Sequence, residues 1–197
     1  MRLDLNKNWH VCFTELEYDW TDFKQVLEET ANWMTGDVPC DVREILIREG
    51  IIKEPLNGLN CFESEWVENK AWWFKKDFQV DAELLQGDRV ELVLESLDIG
   101  ADIIVNGQFA GHQASAFYPF RADIRDLLKE GDNQILIRIT TGLERVNAEE
   151  LSKYNISSEE ERRPGRGDIR RALLRKPQYS FGWDWGPRVS TCGIVKN

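Results

Sequence analysis

Ala101-Asp102-Ile103-Ile104-Val105-Asn106-Gly107-Gln108-Phe109-Ala110-Gly111 reads as a strand, a two-residue turn and the start of a returning strand. Asn-Gly between β-rich runs favours a type I′ hairpin, because both central residues of that turn need positive φ. Working outward, Trp72 to Val80 alternates, with Trp72, Phe74, Phe78 and Val80 in one phase and Trp73, Lys75, Asp77 and Gln79 in the other. That pattern predicts a half-buried strand. Arg89 to Leu94, with Val90, Leu92 and Leu94 in phase, predicts a strand before the hairpin, and Gln134 to Thr140 one after it, entered through the turn Glu130-Gly131-Asp132-Asn133. Near the start, Trp9, Val11 and Phe13 alternate in the same way.

Helical signals are fewer. Asp41 is placed to cap a short helix with Val42, Ile45 and Leu46 on one face and Gly50 at its end. Ile124 to Lys129 predicts a second short one. Most strands follow one another through turns with no long helix between successive pairs, which favours antiparallel sheets over βαβ units. The expected fold class is all-β, an antiparallel β-sandwich of jelly-roll type with a few short helices. It forms a single domain over residues 1–197.

The chain carries 25 Lys and Arg against 35 Asp and Glu, a formal net charge of -10. An acidic chain repels polyanions, so nucleic acid is not expected as a partner. Hydrophobic residues make up 42%, which excludes disorder over most of the length. No apolar run is long enough to span a bilayer, and the first residues lack a secretory apolar segment, so no membrane partner is expected and the placement is cytoplasmic. Cys12, Cys40, Cys61 and Cys192 have no C-x-x-C spacing and only two His accompany them, so no metal or other cofactor is expected. In a reducing compartment all four would be free thiols, and the sequon at Asn155-Ile156-Ser157 would be idle.

Residues 147–176 form a charged stretch with no strand pattern, read as an exposed excursion. Its basic half lacks the interleaved aromatics of a nucleic-acid surface, and Arg166-Gly167-Asp168 spells an adhesion tripeptide that means little without export signals.

Eight Trp in this length exceed what packing usually demands. The densest segment is Tyr179-Ser180-Phe181-Gly182-Trp183-Asp184-Trp185-Gly186-Pro187-Arg188, two indoles flanking one carboxylate between glycines. A carboxylate accepts hydrogen bonds from adjacent sugar hydroxyls while an indole face covers the C–H side of the ring, so the composition suits a pyranose. Equally, both Trp could be core, with Asp184 receiving an indole N–H or a backbone amide. His10 and His112 sit in no nucleophile motif, and no two of the abundant carboxylates are singled out as a glycosidase pair. G-x-G-x-x-G, P-loop and nucleophile-elbow patterns are absent from the sequence.

Four motifs carry a family resemblance: Val38-Pro39-Cys40-Asp41-Val42, Trp72-Trp73-Phe74, Leu97-Asp98-Ile99-Gly100-Ala101-Asp102-Ile103-Ile104-Val105-Asn106-Gly107, and above all Arg175-Lys176-Pro177-Gln178 running through Trp183-Asp184-Trp185-Gly186-Pro187-Arg188 to Thr191-Cys192-Gly193-Ile194. The chain resembles the N-terminal domain of β-mannosidases of glycoside hydrolase family 2. The resemblance implies a galactose-binding-domain-like jelly roll, the first of several domains in a retaining hydrolase of terminal non-reducing β-mannose. It implies that the acid/base and nucleophile, both Glu, lie on a TIM barrel beyond immunoglobulin-like domains that are absent here, so no catalytic residue is expected in this chain. It also implies that Asp184 reaches into the sugar subsite with Trp183 beside it, Trp185 either sharing that role or packing the loop. The partners are then the β-mannoside and the downstream domains of the same polypeptide. Cys40 stands where the family often has Gly. The alternatives are an autonomous carbohydrate-binding module, argued by the Trp count, and a docking domain that touches no sugar.

Overall fold

The computed structural model describes residues 1–30, 32–154, 169–183 and 185–196. Six strands form the larger sheet: β1 (Trp9–Glu15), β2 (Met34–Gly36), β4 (Lys70–Val80), β7 (Gly100–Val105), β8 (Gln108–Gln113) and β10 (Gly131–Thr140), in the order β2-β1-β4-β10-β7-β8. The facing layer is in two pieces. One is β3 (Cys40–Asp41), β11 (Gly193–Lys196) and β6 (Ser96–Asp98), with β11 in the middle; the other pairs β5 (Glu91–Leu94) with β9 (Phe120–Asp123). Every strand ladder among the described residues is antiparallel. This is the all-β sandwich that the alternation predicts.

Between the layers lies the main core, where Trp9, Val11, Trp72, Phe74, Ala101, Ile103, Val105, Ile135, Ile137 and Ile139 of the large sheet meet Leu92, Leu94, Leu97, Phe120 and Ile194. The period of two puts every one of these side chains on the inward face. The hairpin turn forms as expected, Asn106 at φ 49° and Gly107 at φ 78°. Asn106 also fastens the turn from outside, its side-chain amide donating to Leu127 O at 2.8 Å and Asn133 Oδ1 at 2.7 Å.

Three expectations are corrected. The alternation places Trp73 in the same phase as Lys75, Asp77 and Gln79, yet it is buried: α1 (Phe23–Glu29) lies over the outer face of the large sheet and closes a second small core of Cys12, Val26, Trp73, Ile104 and Leu136. The strand's opening half is therefore covered on both sides, and only from Lys75 onward does its pattern read as half-buried. The helix expected over Ile124 to Lys129 is only a 3₁₀ turn, Arg125–Leu127, since Leu128 is already extended and Lys129 bonds to Asn133. The exposed excursion over 147–176 is packed at its C-terminal end, where Arg171 and Lys176 are buried. The sequon at Asn155 and the Arg166-Gly167-Asp168 tripeptide lie outside the described residues.

The Asp41-capped helix is α2 (Val42–Arg48), with Asp41 accepting from the Arg43 N–H at 2.8 Å. All four cysteines are free and buried, and burial pushes the thiols of Cys12 and Cys40 up to about 12.

Candidate functional site

The aromatic segment is a compact loop with an anchored inner side. Pro177 opens a 3₁₀ turn over Gln178–Phe181, closed by Ser180 N–H to Pro177 O at 3.2 Å and Gly182 N–H to Tyr179 O at 3.1 Å. Phe181 and Ser180 point into the protein. Gly182, at φ 93°, then turns the chain outward. Trp183 and Gly186 exchange backbone hydrogen bonds, Trp183 N–H to Gly186 O at 3.0 Å and the return at 3.4 Å, which closes the segment into a tight turn.

That geometry decides part of the choice left open by composition. Trp185 is 77% exposed, Trp183 38% and Tyr179 65%, so the flanking indoles are not core. Asp184, the carboxylate between them, lies outside the described residues. On a neighbouring loop Phe117 and Tyr118 are also exposed. That loop is joined to the aromatic segment by Ala116 N–H donating to Arg175 O at 3.0 Å, and the Arg175 guanidinium sits 5.5 Å from the Tyr118 ring centre.

Both ends of the loop are held by ion pairs, the one at the entry buried and the one at the exit partly buried. At the exit, Arg188 donates to Glu68 Oε2 through Nε at 3.0 Å and Nη2 at 2.6 Å. Glu68, on the turn preceding β4, also receives the Ser190 N–H at 3.4 Å and lies 3.7 Å from Arg43 of α2, whose other nitrogen bonds the Ser190 carbonyl. At the entry, the Lys176 ammonium lies 2.8 Å from Asp98 of β6 and donates to the Thr191 carbonyl, while the Thr191 hydroxyl donates to Asp98. Asp41 adds a further tie by accepting the Cys192 N–H at 2.7 Å. Burial pushes the Asp41 carboxyl up, against the pull of Arg43 and of the two amides that it accepts.

Neither histidine supplies catalytic geometry. His112 Nδ1 is 2.8 Å from Asp102, and Arg145 lies against both ring nitrogens at 3.2 and 3.1 Å, an ion cluster on the outer sheet face with Arg138. His10 lies on β1 between Thr35 and Lys75 of the neighbouring strands. Among the described residues no group of three His, Cys, Asp or Glu could hold a metal ion.

Sequence reasoning singles out Trp183, Asp184 and Trp185 as candidates and does not name the groups that hold the loop: Glu68, Arg188, Arg43, Asp98 and Lys176. Lys176 and Arg188 stood inside a quoted motif, but only proximity in the fold joins them to partners about 80 and 120 residues earlier.

The antiparallel sandwich is that of a galactose-binding-like domain of the glycoside hydrolases. The chain belongs to the glycosyl hydrolase 2 galactose-binding domain-like family, which matches residues 20–196. It is 33% identical over 166 residues to a probable beta-mannosidase of Caenorhabditis elegans, covering 81% of this chain and 18% of that protein. It is 32% identical over 167 residues to beta-mannosidase B of Aspergillus niger, covering 82% of this chain and 19% of that one. The crystal structure of a beta-D-mannosidase from Dictyoglomus thermophilum superposes with a TM-score of 0.80 at 31% identity, over 98% of this chain and 22% of that one. The match is to the N-terminal part of β-mannosidase-like proteins, and the chain spans about a fifth of the length of these relatives. A Ruminococcus gnavus beta-glucuronidase shares the fold at 19% identity and a TM-score of 0.51.

Proposed function

We propose that this chain is the N-terminal domain of a retaining β-mannosidase that releases terminal non-reducing β-mannose, and that its Trp183-Asp184-Trp185 tip forms part of the sugar subsite. The observation that carries this reading is the loop itself: two exposed indoles flanking a carboxylate position, on a backbone clamped at both ends. An indole face covers the C–H side of a pyranose, and Asp184 accepts from its hydroxyls. The retaining mechanism needs a nucleophilic and an acid/base carboxylate about 5–5.5 Å apart, which we assign to a catalytic barrel outside these residues.

The decisive experiment replaces Asp184 in the full-length polypeptide. A hydrogen bond to a charged group contributes about 1.5–3 kcal/mol, so Asp184→Ala lowers kcat/KM on aryl β-mannosides at least roughly 10-fold, and Asp184→Asn, which keeps shape and one acceptor, lowers it less. Wild-type kcat/KM in both variants would exclude Asp184 as a substrate ligand. A docking role without sugar contact is favoured by one further observation, the exposed Phe117 and Tyr118 beside the loop. On that reading the Asp184 variants are kinetically silent.

A further inference from the structure

Lys176 is a fully buried ammonium that the proposed sugar contacts do not use, its side chain 0% exposed. Lysine is almost never found so deep unless paired. Here its partners are the Asp98 carboxylate at 2.8 Å, the Thr191 carbonyl, and the face of the Phe181 ring, whose centre is 5.6 Å away. Such a pair is a poor way to stabilise a fold. Stripping water from two charges costs several kcal/mol per ion, and apolar side chains of similar volume are often as good or better.

What the pair does supply is position. Lys176 immediately precedes Pro177, where the aromatic loop begins, and Thr191 follows the residues where it ends. One ammonium therefore joins the loop's two ends to each other and, through Asp98, to β6 of the sandwich. Phe181, the loop's inward anchor, rests on the same group. An apolar pair would fill this volume without fixing direction, whereas an ammonium in ion-pair contact with a carboxylate and donating to a carbonyl ties both groups to one point.

We infer that Lys176 and Asp98 are positioning residues of the sugar site, holding the base of the Tyr179–Trp185 loop in register with the sheet and contributing little to stability. This rests on the proposed role of that loop. Its consequence is that the ion pair separates substrate affinity from folding.

The test uses the full-length polypeptide with three variants: Lys176→Met, Lys176→Met combined with Asp98→Leu, and Trp183→Ala as a reference for the loop. The single Lys176→Met strands a buried carboxylate and is expected to lower the melting temperature. The double variant removes both charges, and is expected to melt within about 5 °C of wild type while KM for an aryl β-mannoside rises about 10-fold or more and kcat changes less. A double variant with wild-type KM would overturn the inference, as would one that fails to fold. If Trp183→Ala raises KM and the double variant does not, the positioning role alone is wrong. If Trp183→Ala leaves KM unchanged, the sugar role of the loop fails and the inference falls with it.

Discussion

At the scale of single residues, the tightest constraint beneath the site is Gly193. It has φ 153°, and a Cβ at this position would stand 2.4 Å from the Cys40 carbonyl oxygen. Backbone meets backbone there, so no side chain can yield. Gly193→Ala combines a strained dihedral with a clash inside the ladder to β3, and is expected to destabilise by about 3 kcal/mol, a fall of roughly 6–12 °C in Tm. Thermal unfolding of the variant checks this, and an unchanged Tm would mean that β3 and β11 can separate at little cost. The residue scale is also where the sequence was most informative about the site. Two Trp around Asp184 stand out by composition, and the chain leaves the core before Trp183 at Gly182, whose φ is 93°. Lys176 could not be read the same way. A lysine before a proline looks like solvated surface, and only its contact with Asp98 makes it otherwise.

Among the elements, the outer face of the large sheet carries a charge cluster that predicts a pH response. Asp102 on β7 is partly desolvated, which by itself would raise its pKa. The hydrogen bond from His112 and the charges of Arg145 and His112 outweigh this and hold it below the ordinary carboxylate value. A depressed carboxyl stabilises the fold above its unfolded pKa, and that contribution disappears as the pH falls through the lower folded value. Asp102→Asn is therefore expected to be less stable than wild type at pH 6, with the gap narrowing steadily below the unfolded value of about 3.9. Urea midpoints measured across that range test it. A gap independent of pH would show that Asp102 acts through shape and not charge.

The elements also show where alternation stops being legible. β4, β7 and β10 announce themselves by their apolar residues, and β8 only through the Asn106-Gly107 turn that precedes it. β6 has three residues and β3 two, too few to display any period, and β11 is brought into its sheet by pairing with strands far away in sequence. Trp73 was misread because covering by α1 is a tertiary event: seven residues with one apolar stripe at Phe23, Val26 and Leu27 convert an outward face into a second core.

For the molecule as a whole, the described residues form one sandwich and present aromatic surface at the Trp183 and Trp185 loop, and the proposed function puts the acid/base pair elsewhere. The chain of residues 1–197 by itself is expected to hydrolyse no aryl β-mannoside above background, since positioning groups cannot replace a nucleophile. Turnover that responds to mutations within these residues would refute the assignment of chemistry elsewhere. Calorimetric titration with mannose and mannobiose extends the test: the proposed subsite is incomplete without a barrel and should bind weakly or not at all, whereas micromolar affinity would mark an autonomous module. The family was legible from motifs, most of all the stretch ending in Thr191-Cys192-Gly193-Ile194. Those same residues form the seam between loop and sheet.

The place of β11 has a consequence for how the protein is made. β11, the latest in sequence of the described strands, is the middle strand of its sheet, flanked by β3 and β6 from far earlier in the sequence. Vectorial synthesis thus delivers the two outer strands first, and they wait on the ribosome with the gap between them open until residues 193–196 leave the exit tunnel. During that interval the apolar inner face of the larger sheet is only partly roofed and offers a surface to chaperones. A chain lacking residues 193–196 would hold most of its hydrophobic residues and still lack the strand that locks the two layers together, so emergence of this short segment is the event that lets the sandwich close.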